Sequence, residues 1–217
     1  MIIPNFKNRF QVLKNNGDHI QYVLDIGAYR GDFTDTIHSV WPSAIVRQIE
    51  ADERQKKWLN DNAIIALLGD REQHNVNFYT LDENKITTGS SIFLELTSHY
   101  SKDKQVVLKK SMTTLDQLNI KHNFYGNWQQ HGLIKIDTQG SELLILAGAE
   151  KFLTERKPRY ILLECSIQEY NKDAPDFFTV IEKMRQLNYH MHDIFDQAYN
   201  RQNQLLQVDI LFERTKE

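Results

Sequence analysis

The sequence predicts an α/β fold: one mainly parallel sheet with helices on both faces, a β-rich insertion midway, and an antiparallel hairpin at the end. Three observations carry this. Short, continuously apolar strand-forming runs alternate with segments whose apolar residues recur at helical spacing, the pattern of strands covered on both faces. The chain has 217 residues, the size of a single domain spanning 1–217. Hydrophobic residues make up 41% of it, enough for a sizeable core and too many for a disordered chain.

The elements follow in order. Tyr22 to Ile26 is a strand closed by Gly27; Phe33, Ile37, Val40 and Trp41 then mark one face of a helix that Pro42 ends. Ile45 to Ile49 is the second strand. Asp52 reads as an N-cap with Gln55 completing a capping-box-like pair, and Trp58 and Leu59 are expected to face inward from that helix. Ile64 to Leu68 is the third strand. Leu133 to Asp137 is the fourth, followed by one helix over Ser141 to Leu153. Tyr160 to Leu163 is the fifth. Phe177, Ile181, Met184 and Leu187 mark another helix, with Pro175 expected in its first turn. His190 to Phe195 and Leu206 to Phe212 have no helix between them and read as the hairpin. Residues 71 to 130 break the alternation: Asn75 to Tyr79 alternates with period two, Val106 to Leu108 is another short run, and Thr114 with Gln117 resembles a capping box. This stretch is expected to be an insertion near the ligand end of the sheet, shaping its pocket.

Composition excludes several classes. With 26 basic and 29 acidic residues the net charge is −3, which gives no electrostatic footprint for nucleic acid or an anionic membrane. The single Cys165 rules out an internal disulfide framework and reads as a buried thiol in a reducing compartment. The N-terminus lacks a secretory signal and no apolar run approaches a membrane span, so a cytoplasmic protein is expected.

The sharpest signal is Asp25-Ile26-Gly27-Ala28-Tyr29-Arg30-Gly31. Gly27 ends a strand and Gly31 stands at the mouth of a helix, where backbone can approach a ligand and free N–H groups are available. Position 29 is tyrosine, so the middle glycine of a dinucleotide fingerprint is missing. Asp25 would repel a pyrophosphate but could bond an ammonium group, which favours a cationic ligand such as S-adenosylmethionine. Glu50 ends the second strand about 20 residues on, the spacing at which an acid reaches a ribose diol. The plainer alternative is ordinary turn glycines and solvated carboxylates.

This turn resembles motif I of class I S-adenosylmethionine-dependent methyltransferases. With Glu50, Leu68-Gly69-Asp70, Gly89-Ser90-Ser91, Thr114-Leu115-Asp116, Gly148-Ala149, Leu163-Glu164 and Lys135-Ile136-Asp137-Thr138-Gln139-Gly140-Ser141-Glu142, the chain resembles the FkbM family. Ala51 and the Tyr29-Arg30 pair depart from the usual pattern. The resemblance implies a Rossmann-like seven-stranded sheet in the order 3-2-1-4-5-7-6 and methyl transfer, usually to an oxygen of a small molecule or glycan.

On that reading Asp25, Gly27, Ala28 and Gly31 hold the methionine end, Glu50 the ribose, and Gly69 and Asp70 lie near the adenine. Asp137 ends the fourth strand beside the switch point, where it could bond the ammonium, hold an acceptor hydroxyl, or serve as its base. Ser90, Ser91, Asp116 and Glu164 are the candidates for acceptor binding. Lys135, between apolar neighbours, is expected to pair with a carboxylate, Asp116 or Glu164 by family position; Glu142 complements a helix start. No metal is expected. The one arrangement the sequence offers Mg²⁺ is Asp137 with Glu164. His190 and His192 share a strand face but are expected to lack a third ligand nearby. Two rival readings are a nicotinamide-dependent oxidoreductase, which the missing glycine and Asp25 oppose, and an S-adenosylmethionine-binding protein without catalysis, which the intact Asp137 opposes.

Overall fold

The computed structural model describes residues 6–82, 88–97, 100 and 104–215. Residues 1–5, on which the reading of the N-terminus partly rests, and residues 83–87, 98–99 and 101–103 of the predicted insertion lie outside them. β1 (Tyr22–Ile26) sits at the centre of a seven-stranded sheet, with β2 (Ile45–Glu50) and β3 (Ile64–Ile65) to one side and β7 (Gly132–Ile136) and β8 (Tyr160–Ser166) to the other. β9 (Tyr189–Tyr199) and β10 (Leu205–Arg214) form the closing hairpin, with β10 antiparallel to β8. The order is β3-β2-β1-β7-β8-β10-β9. Counted within this sheet alone, that is 3-2-1-4-5-7-6. The chain reverses direction across the sheet between β1 and β7, and ligands of open α/β sheets bind beyond the strand ends at such a point.

Each face has its own core. α1 (Phe6–Asn15) and α2 (Asp32–Val40) cover one face, packing Phe10, Phe33, Ile37 and Trp41 against Val23, Leu133 and Leu162. Full burial of such side chains contributes about 1.5–3 kcal/mol each. The other face buries Leu24, Ile26, Ile134, Ile136, Ile161 and Leu163 under α3 (Leu115–His122), α4 (Trp128–His131), α5 (Glu142–Ala147), α6 (Glu150–Arg156) and α7 (Phe177–Gln186).

Six expectations change. The predicted third strand changes sheets at Ala66, whose N–H bonds the Glu50 carbonyl. Ile64 and Ile65 extend the main sheet, whereas β4 (Leu67–Leu68) pairs with β6 (Gln105–Thr113) in a second sheet completed by β5 (Gln73–Leu81). The last part of the predicted insertion belongs to the main fold, because Leu115, Leu118, Phe124 and Trp128 lie in the core under the sheet. The helix over 141–153 breaks in two at Gly148, where an added Cβ would lie 2.0 Å from the Gly69 carbonyl oxygen. The segment after Asp52 is a 3-10 turn, Glu53–Trp58, with the Asp52 carboxylate accepting from the Arg54 N–H rather than from Gln55. Trp58 points outward at 55% exposure, with its ring against the Arg30 guanidinium, 5.3 Å away. Pro175 precedes the α7 N-cap, which is Asp176.

Candidate cofactor and acceptor site

A cavity of about 730 Å³ opens where β1, β2 and β7 end, within the range typical of small-ligand pockets. One flank is the glycine turn, Gly27 to Arg30, with Glu50. Gly27 has φ +76°, and a Cβ there would stand 1.9 Å from the Asp137 carbonyl oxygen. The turn thus closes directly on the loop that carries Asp137, which only glycine allows. Glu50 is buried and accepts the backbone N–H groups of Tyr29 at 2.8 Å and Asp52 at 2.7 Å. It therefore clamps the turn to β2 while facing the cavity, and burial raises its pKa despite these bonds. Ala66, Leu67, Leu68 and Ile145 supply an apolar wall beside it.

Asp25 lies beneath the turn, not in the cavity lining. Parallel register places it between Gln48 on β2 and Lys135 on β7, so the three polar side chains share one face under α2. Asp25 is fully buried, accepts the Thr34 hydroxyl at 2.8 Å and lies 3.4 Å from the Lys135 ammonium. The Gln48 amide donates to the Thr34 oxygen at 2.9 Å. Lys135 donates to the Gly27 carbonyl at 2.7 Å and stands 3.5 Å from Asp137. Burial alone would lower the Lys135 pKa, but Asp137 and Asp25 outweigh it and hold the ammonium charged. Burial raises Asp25 and Lys135 only partly offsets that. The partners of Lys135 are thus Asp25 and Asp137, not Asp116 or Glu164.

Asp137 is the exposed member of this group, with its side chain 38% accessible in the cavity wall. Gln139 bridges it to Glu164: the amide nitrogen lies 3.2 Å from one Asp137 oxygen and 2.7 Å from one Glu164 oxygen. An amide donor thus sits between the two carboxylates that the sequence offered to Mg²⁺. The other Glu164 oxygen accepts the Gln207 amide at 2.5 Å. Burial raises the Glu164 pKa well above normal, and Asp137, Asp209 and Glu142 add to it. Glu142 closes its own loop, accepting the N–H groups of Thr138 at 2.8 Å and Gly140 at 3.2 Å. Ser90 and Ser91 line the far wall. The Ser91 hydroxyl is committed to the carbonyls of Thr138 (3.0 Å) and Gln139 (2.9 Å), tying the insertion to the Asp137 loop.

Besides Asp25, four predicted site residues lie off the cavity. Gly31 caps α2 next to Gln48. Gly69 packs against Met112 and Gly148. Asp70 lies beside Arg71 at 3.5 Å. Asp116 caps the start of α6, accepting the N–H groups of Lys151 at 2.9 Å and Phe152 at 2.7 Å. The strand ends turn away at Gly69, so the wall near the Gly69-Asp70 position is made by Ala66 to Leu68.

The sequence profile of the Methyltransferase FkbM domain matches residues 25–191, a span holding the glycine turn, Glu50 and the Asp137 loop. The chain belongs to the FkbM methyltransferase family. No curated protein sequence matches it. The FkbM methyltransferase structure from Methylobacillus flagellatus KT is similar at 13% identity and a TM-score of 0.51, covering 88% of this chain and 43% of that one. The likeness extends to the fold, and the chain spans less than half the length of that relative. Magnesium protoporphyrin IX methyltransferase from Synechocystis PCC 6803, a structure with bound S-adenosylmethionine, aligns at 9% identity and TM-score 0.48, covering 95% of this chain and 76% of that one. An rRNA methylase from Streptococcus thermophilus aligns at 13% identity and TM-score 0.48, covering 100% and 99%. Both are too distant to bear on function.

Within this FkbM domain, sequence reasoning passed over Gln139, Gln207, Gln48 and Thr34. Gln139 was legible as part of the Lys135–Glu142 string. Its backbone has φ +58°, an uncommon conformation for a side-chain-bearing residue that concentrates at functional sites. Gln207 comes from the hairpin, and nothing local in sequence marks it. Among the described residues, no helix is long and apolar enough to cross a membrane.

Proposed function

We propose that this chain transfers a methyl group from S-adenosylmethionine to an oxygen of a small molecule or glycan. One observation carries the reading: a single cavity joins the glycine turn and Glu50 at one flank to Asp137, Glu164, Ser90 and Ser91 at the other. The cradle suits the cofactor. Glu50 spends one lone pair of each oxygen on backbone and keeps others for a ribose diol. The aliphatic wall of Leu67, Leu68 and Ile145 suits an adenine ring. The backbone at Gly27 and Ala28, with Asp137, forms the methionine end. Asp25 acts from below, through Lys135 and its bond to the Gly27 carbonyl.

The cofactor supplies a methyl carried on a sulfonium. The chain's own work is to align an acceptor oxygen with that methyl and receive its proton. Asp137 is the base, held in place by Lys135 and Gln139. Glu164, Gln207 and Ser90 orient the acceptor. The near-neutral charge supports a small acceptor over nucleic acid. The test is incubation with methyl-labelled cofactor and a cell extract separated into small-molecule, glycan and RNA fractions. Label should enter the small-molecule or glycan fraction, and Asp137→Asn should slow transfer at least about 100-fold. Label in RNA, or in no fraction, would sink the proposal.

A further inference from the structure

The opposite end of the sheet carries a second cluster of ligand-type side chains. Glu213 faces Tyr160 at the start of β8 and His190 at the start of β9. The cofactor cavity, which none of these residues lines, opens at the other end of β8, near Glu164. Between Leu211 and Phe212 the hairpin changes register, from Asp193 to Met191 as partner, so His192 is the extra residue of a β-bulge. Bulges re-aim side chains. Here the bulge brings His192 beside Glu213, with its Nδ1 3.0 Å from one carboxylate oxygen. The Tyr160 ring, edge-on at 5.8 Å, holds the imidazole plane. One donor atom from each of His190, His192 and Glu213 lies within 4.8 Å of the other two.

We propose that His190, His192 and Glu213 form a zinc site that staples the closing hairpin. Two imidazoles and one carboxylate are the donor set of three-ligand zinc sites. Ligands about 2.0–2.2 Å from a tetrahedral ion stand about 3.3–3.6 Å apart, so small side-chain shifts bring this set around one. The Arg159 guanidinium takes only the other Glu213 oxygen, at 3.2 Å, and Asp18 at 2.6 Å offsets its charge. Both histidines are exposed, so the ion reaches them without opening the fold, and a water completes the fourth position. The ion would tie β9, the sheet's edge strand, to β10. Its role is therefore structural and independent of methyl transfer.

The test is calorimetric titration of Zn²⁺ into untagged, chelator-treated full chain, with thermal melts in parallel. Wild type should bind one Zn²⁺ per chain and melt higher with it. His192→Ala and Glu213→Gln should each weaken binding at least about tenfold. The double replacement His190→Ala/His192→Ala should abolish the zinc-dependent rise while keeping the wild-type circular dichroism spectrum without metal. Mg²⁺ should give no comparable heat, because imidazole donors favour zinc. Zinc affinity unchanged in the double variant, or a stoichiometry well below one in wild type, would overturn the proposal.

Discussion

Asp137 and Asp25 sit on adjacent strands, share Lys135, and do different work because one is exposed and the other is sealed under α2. Both were legible as acids at strand ends. Their division of labour was not, because it depends on register across the sheet. The Asp25–Gln48–Lys135 row places Asp25 on the α2 side, where Thr34 meets it. Gln207 shows the same limit, reaching Glu164 from 43 residues away. The acids behind the far wall of the cavity also bear on stability. Burial, then Asp137 and Asp196, raise the pKa of Asp209 to about 8. Between about pH 4 and pH 8 the folded chain therefore holds a proton that the unfolded chain has released, so stability falls as pH rises across that window. Asp209→Asn should make the decline in melting temperature over this window shallower by a few degrees. An unchanged slope would show that Asp209 ionises normally.

Among the elements, the turn after β1 is the most demanding. Gly27 is left-handed and abuts the Asp137 carbonyl, so Gly27→Ala should cost about 2 kcal/mol or more and abolish cofactor binding. Wild-type melting of that variant would mean that the two loops stand further apart. The link between insertion and main sheet rests on Ser91. Ser91→Ala removes both bonds to the Asp137 loop and should raise KM for the acceptor several-fold while leaving affinity for S-adenosylhomocysteine unchanged. An equal loss of both would place Ser91 in the cofactor half. Periodicity located the strands of the main sheet and the helices that follow β1, β7 and β8, but passed over α1, whose Phe10 and Leu13 are buried against the sheet, and missed two breaks. The switch of sheet at Ala66 and the interruption at Gly148 both arise from contacts between distant segments, the second from close approach to Gly69. The apolar run Ile64 to Leu68 looks the same whether it serves one sheet or two.

For the whole molecule, the alternation of strands and helices, the glycine turn and the Lys135–Glu142 string were sufficient to place the chain in its family, because these are local patterns. On the near side Gly27, Ala28 and Glu50 line the cavity, whereas Asp25, Gly31, Gly69 and Asp70 lie off it. On the far side Asp137, Ser90, Ser91 and Glu164 were legible as motif residues and line it, but the bridging Gln139 and the hairpin's Gln207 became visible only in three dimensions. The proposed function stands on this cavity being built for S-adenosylmethionine. Calorimetric titration with S-adenosylhomocysteine, run beside NAD and repeated on Glu50→Ala, tests it most directly. S-adenosylhomocysteine should bind one-to-one, at least about tenfold more weakly in the variant because a ribose-bonding carboxylate is lost, and NAD should give no heat. Binding of NAD but not S-adenosylhomocysteine, or equal affinity in wild type and Glu50→Ala, would contradict it.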